Sequence, residues 1–291
     1  MNIFEFLAAH TAVFYSSIAI LGLLIGSFLN VVVYRLPRML ETQWTSQCRE
    51  FLKLEQDRAS SATFNLSLPR SHCPHCQTGI PGWRNIPLLS YLMQRGRCHQ
   101  CGASISIRYP LIELSSALIS LMLAWHYGAV AQLIPALFFS WALMALLVID
   151  LQHQLLPDQI TLPLLWTGLL FNMQGMFTSL EMAVLGAVIG YLSLWLVYHA
   201  YRLLRGKHGF GYGDFKLLAA IGAWTGWSSI PVIILISSLS GAIVGILLIL
   251  FAKHQYDKPI SFGPYLAIAG WISLLWGDSI IQGYLTYLGS S

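Results

Sequence analysis

A run of roughly 17 to 25 mostly apolar residues is long enough to cross a bilayer as a helix. This chain holds about eight: 12–33, 111–131, 133–149, 160–177, 181–203, 214–229, 230–252 and 262–285. Within lipid each backbone N–H and C=O must be paired inside its own segment, which leaves helices as the main choice. The pairs 111–149 and 214–252 run almost without a break and divide at residues 128–135 and 226–231, where Gly and Pro punctuate the chain. Composition agrees, since 56% of the 291 residues are hydrophobic and 10% charged, against about a quarter charged in soluble domains. The expected fold is an all-α polytopic membrane protein.

The charges orient it. Ten of the sixteen Lys and Arg lie between Arg35 and Arg108, four at Arg202, Arg205, Lys207 and Lys216, and two at Lys253 and Lys258. Short loops rich in these residues stay in the cytoplasm. With eight spans and the N-terminus outside, every such segment falls inside. Glu5 precedes the first span and no Lys or Arg does, unlike the basic start of a cleaved signal peptide, so that span is expected to remain attached. The expected organisation is a first transmembrane helix (1–34), a cytoplasmic domain (35–110) and a transmembrane domain (111–291). Within the middle segment, residues 41–66 mix both charges with apolar residues at helical spacing, which predicts an amphipathic helix. The net charge of +4 sits in these loops, and the bilayer rather than nucleic acid is the expected partner.

Four of the five cysteines form two C-x-x-C pairs, Cys73/Cys76 and Cys98/Cys101. Two such knuckles can close a four-thiolate tetrahedron around structural zinc. Disulfide, redox and iron–sulfur chemistry are the competing accounts, and a reducing cytosol disfavours the first of them. His72, His75 and His99 read as solvated neighbours, and Cys48 as a packed or free thiol.

Asp150 ends the apolar run FFSWALMALLVID and Asp214 opens FKLLAAIGAW, both at the cytoplasmic rim in the eight-span reading. An ionisable residue in a span is costly and points to function. Two carboxyl groups at one depth can meet, hold one proton between them and act as base and acid toward water. Asp214 has a second account as a helix N-terminal cap. Asp150 sits at a helix C-terminus, where the dipole opposes it. Gly211 and Gly213 before Asp214 admit close approach and positive φ. Asp158 and Glu113 read as first-turn or capping acids, and Lys216 as a side chain snorkelling to the headgroups. Three G-x-x-x-G pairs, Gly22/Gly26, Gly186/Gly190 and Gly241/Gly245, point to close helix packing.

Taken together, GSFLNVVVYRLP (26–37), CPHC and CHQC with RNIPLLSYLMQRGRC between them, RYPLIEL (108–114), VIDLQHQLLPD (148–158) and GYGDFKLLAAIGAW (211–224) resemble the bacterial type IV prepilin peptidases. The resemblance implies that Asp150 and Asp214 are the catalytic pair of an aspartic endopeptidase of the G-x-G-D type. Its substrates would be type IV prepilins and the pseudopilins of type II secretion, cut after glycine at the cytoplasmic face of the inner membrane. It also implies N-methylation of the new amine by S-adenosylmethionine, an activity tied to the cysteine-bearing domain, with Gly96 in the stretch linked to methylation. Ser261, in ISFGP, departs from the family's I-P-F-G-P, replacing a proline that would stiffen the start of the last span. Two rivals use the same residues: a transporter subunit with an Asp150–Asp214 proton relay and a regulatory zinc domain, and a nonenzymatic zinc-stabilised scaffold. Relay acids generally lie near the bilayer midplane, whereas this pair is expected at the rim.

Overall fold

Each of the eight apolar stretches lies largely on a helix in the computed structural model, which describes residues 3–54, 64–82, 86–206, 211–252 and 261–289. The helices are α1 (Ile3–Ala9), α2 (Thr11–Phe51), a short α3 (Leu89–Met93), α4 (Arg108–Tyr127), α5 (Leu133–His153), α6 (Asp158–Asn172), α7 (Leu180–Arg205), α8 (Tyr212–Thr225), α9 (Ile230–Ala252) and α10 (Gly263–Gly289). Strands are absent among the described residues, where two isolated β-bridges stand alone. Five helices, α2, α5, α7, α9 and α10, are long and apolar enough to cross a membrane. The other three fall short for physical reasons. Polar Arg108, Glu113, Ser115, Ser116 and Ser120 dilute α4, and α8, with 14 residues, rises only about 21 Å against a hydrocarbon core of about 30 Å. At 15 residues α6 is scarcely longer.

The chain divides into two units, Met1–Leu137 and Phe138–Ser291. In the first, α2 packs along α4. A Cβ on Gly22 would stand 2.7 Å from Ala117 Cα, and one on Gly26 would stand 2.6 Å from Glu113 Cα. Backbones this close require glycine, as the G-x-x-x-G spacing anticipates. Residues 41–51 do not form a separate amphipathic helix: they prolong α2, which passes through Pro37 without ending. No Gly or further Pro interrupts the chain there, and exposed polar side chains are compatible with a helix running on into water. The rest of that predicted segment includes residues 55–63, which lie outside the described residues, as do Lys207, Gly209, Lys253 and Lys258.

In the second unit α8 is the centre. Phe215, Leu217, Leu218, Ala220, Ile221, Ala223 and Trp224 are fully buried. Gly190 brings α7 against it, since a Cβ there would meet Leu218 O at 2.8 Å. Trp224 donates its indole N–H to Leu164 O at 2.8 Å and lies among Phe139, Phe171 and Phe177. Truncating such a residue costs about 3–5 kcal/mol. Asn172, 1% exposed, ties the end of α8 to the loop that follows α6: its amide donates to Ala223 O and Trp224 O, and its carbonyl accepts the Phe177 and Thr178 N–H groups. A helix shorter than a bilayer is tolerated when protein rather than lipid satisfies its ends, and α8 has that environment. By contrast α9 leaves Leu235, Leu239, Ile243, Ile246 and Leu250 exposed, an apolar face of the kind that lipid covers.

Candidate active site and metal centre

Asp150 lies in the last turn of α5 and is 5% exposed; Asp214 lies in the first turn of α8 and is 7% exposed. The fold brings the two carboxyl groups within coulombic reach of each other. Leu156 marks the meeting point, because it packs both on Gly213, beside Asp214, and on Gly263, which touches Asp150.

Each carboxylate rests at a helix N-terminus. Asp214 Oδ2 accepts the Gly211 N–H at 3.2 Å, the reach-back of a capping-box acid. Asp150 opposes the dipole of its own helix, yet it accepts the Gly263 N–H at the start of α10 and a hydrogen bond from Ser261 Oγ. The positive end of α10 offsets the unfavourable end of α5.

The motif glycines have separate reasons. Neither Gly211 nor Gly213 adopts positive φ, so the expected left-handed backbone is absent and only space is at issue. A Cβ on Gly213 would stand 2.8 Å from Leu156 Cβ, whereas one on Gly211 would stand 3.5 Å from Asp214 Oδ2, an ordinary contact. Gly263 is forced harder still, since a Cβ there would collide with the Asp150 carboxylate. Sequence reasoning missed Gly263 and treated Ser261 as a change in backbone stiffness. The stretch ISFGP held the signal.

Lys216 has a protein partner that the sequence reading did not name. It ion-pairs with Asp158, with Nζ 2.8 and 2.7 Å from the two carboxylate oxygens, and so joins α8 to α6. The N-cap of α6 is Pro157, and Asp158 begins the helix proper. Both side chains are partly exposed, which limits such a pair to about 0–1 kcal/mol. Glu113 also does more than the first-turn reading gave it. It is 8% exposed and accepts the Leu88 N–H at 2.8 Å, tying the cysteine-bearing segment to α4.

That segment folds one turn twice. Cys73 N donates to Thr78 O and Gln77 N to Cys73 O; Cys98 N donates to Ala103 O and Gly102 N to Cys98 O. An isolated bridge closes each knuckle, His72 with Gly79 and Arg97 with Ser104. All four sulfurs lie within 4.8 Å of one another. Cys73 Sγ and Cys101 Sγ are 3.8 Å apart, the edge of a tetrahedron with metal–sulfur bonds of about 2.3 Å and far beyond a disulfide. The cysteines are free thiols. Hydrogen bonds from the Thr78 hydroxyl and amide lower the Cys76 thiol to about 6, and the Cys101 and Gln100 amides lower that of Cys98. Burial and the neighbouring cysteines instead push the Cys101 thiol up to about 11, so ligation there must displace a proton. The donor set therefore fits a four-coordinate thiolate metal, and His72, His75 and His99 are not part of it. Cys48 is exposed on α2.

Gly96 adopts φ +66° against Tyr91, close to the second knuckle.

Residues 20–127 match the model of the bacterial peptidase A24 N-terminal domain, and residues 137–246 match that of the type IV leader peptidase family. The prepilin leader peptidase/N-methyltransferase of Stutzerimonas stutzeri is 54% identical over 97% of this chain and 98% of its own. Proteins of the same description from Pseudomonas aeruginosa and Aeromonas hydrophila are 52% and 55% identical, covering 99% and 94% of this chain and the same shares of theirs. No solved structure gives a significant match. Matched along nearly its whole length, the chain belongs to the prepilin leader peptidase/N-methyltransferase family of membrane enzymes.

Proposed function

We propose that this protein spans the bacterial inner membrane eight times, through α2 and α4 to α10, with its basic loops in the cytoplasm. There it removes the leader of type IV prepilins and type II secretion pseudopilins after a glycine. It then methylates the new N-terminal amine with S-adenosylmethionine. The observation that carries the reading is the meeting of Asp150 and Asp214, two buried carboxyl groups from separate helices.

Like charges at one site cannot both ionise freely, so the pair holds one proton. The ionised member takes a proton from water, whose oxygen attacks the scissile carbonyl carbon, while the other gives its proton to the carbonyl oxygen. Collapse of the gem-diol breaks the C–N bond, and the leaving nitrogen takes up a proton. Cys73, Cys76, Cys98 and Cys101 would hold a structural zinc. Four thiolates leave no open position for chemistry, so the metal fixes the shape of the segment. The exposed α-amine, with a pKa near 7.7–8.0, is partly neutral at physiological pH and needs mainly positioning to attack a methyl sulfonium.

Mass spectrometry of a prepilin incubated with membranes containing this protein tests the reading. Loss of the leader and gain of one methyl are expected, with both changes absent when the membranes carry Asp150→Asn. A prepilin left intact by the well-folded wild-type protein would refute it.

A further inference from the structure

A pocket of about 500 Å³ lies wholly within the first unit, within the usual range for small-molecule sites. Its walls come from α2, the cysteine-bearing segment, Tyr91 of α3 and the start of α4. Two charged side chains on that wall, Arg35 and Glu113, are 7% and 8% exposed. Among the described residues, hydrogen bonds to neutral groups hold each of them. Arg35 donates from Nη1 to Asn65 O at 2.8 Å and from Nη2 to Pro69 O at 2.5 Å. Glu113 accepts the Leu88 N–H and a hydrogen bond from Ser27. Among the described residues neither has a salt-bridge partner.

A buried charge without a counter-charge is costly. A pocket holding a buried charge of each sign, not paired together, beside the exposed Arg108, suits a ligand that brings both. Tyr34, Tyr91 and Tyr109 add aromatic surface to the same wall, suited to stacking a planar base and to facing a cation. Taken together these features describe a zwitterionic amino acid joined to a nucleoside through a cationic centre.

We propose that this pocket binds S-adenosylmethionine, with Glu113 facing its positive charges and Arg35 its carboxylate. The inference rests on the methyltransferase reading above. In the transfer, the neutral amine nitrogen of the cleaved substrate forms a bond to the methyl carbon as the carbon–sulfur bond breaks. That electron pair stays on sulfur, leaving a neutral thioether, and the new ammonium releases one proton to water.

Gly96 acts here as a positioning residue. It is not part of the pocket wall, but a Cβ on it would stand 2.9 Å from Tyr91 Oη and 3.0 Å from Cζ, and its φ of +66° disfavours any side chain. Its N–H donates to Tyr91 O, and its carbonyl accepts the Ile105 N–H. Glycine at this place lets the Tyr91 ring seat against the backbone; a methyl group would displace the ring and reshape the wall.

Equilibrium binding of tritiated S-adenosylmethionine to the full-length, zinc-loaded protein in lipid nanodiscs is the test, with prepilin cleavage and zinc content measured on the same samples. Glu113→Gln and Gly96→Ala are each expected to weaken binding roughly tenfold or more, with cleavage and zinc unchanged. Ultraviolet cross-linking of the bound donor to the wild-type protein needs no variant, and should label peptides from residues 27–35, 86–94 or 104–113. Label confined to the second unit, or wild-type affinity in both variants, would overturn the assignment even where methylation is intact. A wild-type protein that cleaves prepilin but neither binds the donor nor methylates would instead overturn the methyltransferase reading on which it rests.

Discussion

Asp150 closes the last turn of α5, yet its carboxylate is held at the start of α10, where the Gly263 amide donates to it. The unfavourable dipole of one helix is answered by the favourable end of another. Asp214 sits likewise at the start of α8. The two acids share one arrangement, a buried carboxylate on the amides of a helix N-terminus.

Replacing either acid by its amide preserves shape while removing the shared proton. Asp150→Asn and Asp214→Asn are each expected to slow leader cleavage by at least about a thousandfold, within the span for lost acid–base catalysis. Insertion and zinc content should be unchanged. Cleavage kinetics and metal analysis on the same preparations check this; near-normal turnover in either variant would exclude the dyad.

Ser261 donates to Asp150, and its alanine variant should lose that contact and little else. A single hydrogen bond contributes about 0.5–1.5 kcal/mol, so kcat is expected to drop about two- to tenfold with KM little altered. Ser261→Thr should restore most of the rate. A loss in Ser261→Ala that threonine cannot restore would mean that the backbone, not the hydroxyl, is the cause.

The glycines around the dyad should not respond equally. Gly263→Ala places a methyl group against the Asp150 carboxylate and Gly213→Ala places one against Leu156, whereas Gly211→Ala meets an ordinary contact. The expected order of lost cleavage is Gly263→Ala and Gly213→Ala well ahead of Gly211→Ala, read from initial rates at matched protein levels. Equal losses in all three would contradict a steric origin.

The cysteine centre should respond to pH in a definite direction. Ligation requires thiolates, so protons compete with the metal. Each thiolate that is protonated is lost as a ligand, so zinc retention should fall progressively on acidification. Zinc release followed with a colorimetric chelator across a pH series measures it. Cys73→Ser and Cys76→Ser should release metal at neutral pH and impair methylation.

The chain itself determined the membrane class, the place of each long helix, the paired thiols and the two acids, because apolar length, Lys and Arg placement and C-x-x-C spacing are local properties. The Gly22/Gly26 spacing announced close packing on α2, and the structure supplied α4 as the partner. Tertiary structure alone decided what lay across long loops. Ser261 and Gly263 reached Asp150, Lys216 found Asp158, and Arg35 and Glu113 came to line one pocket without pairing. Side-chain partners distant in sequence depend on how helices pack, and hydropathy records that a residue is buried without recording against what.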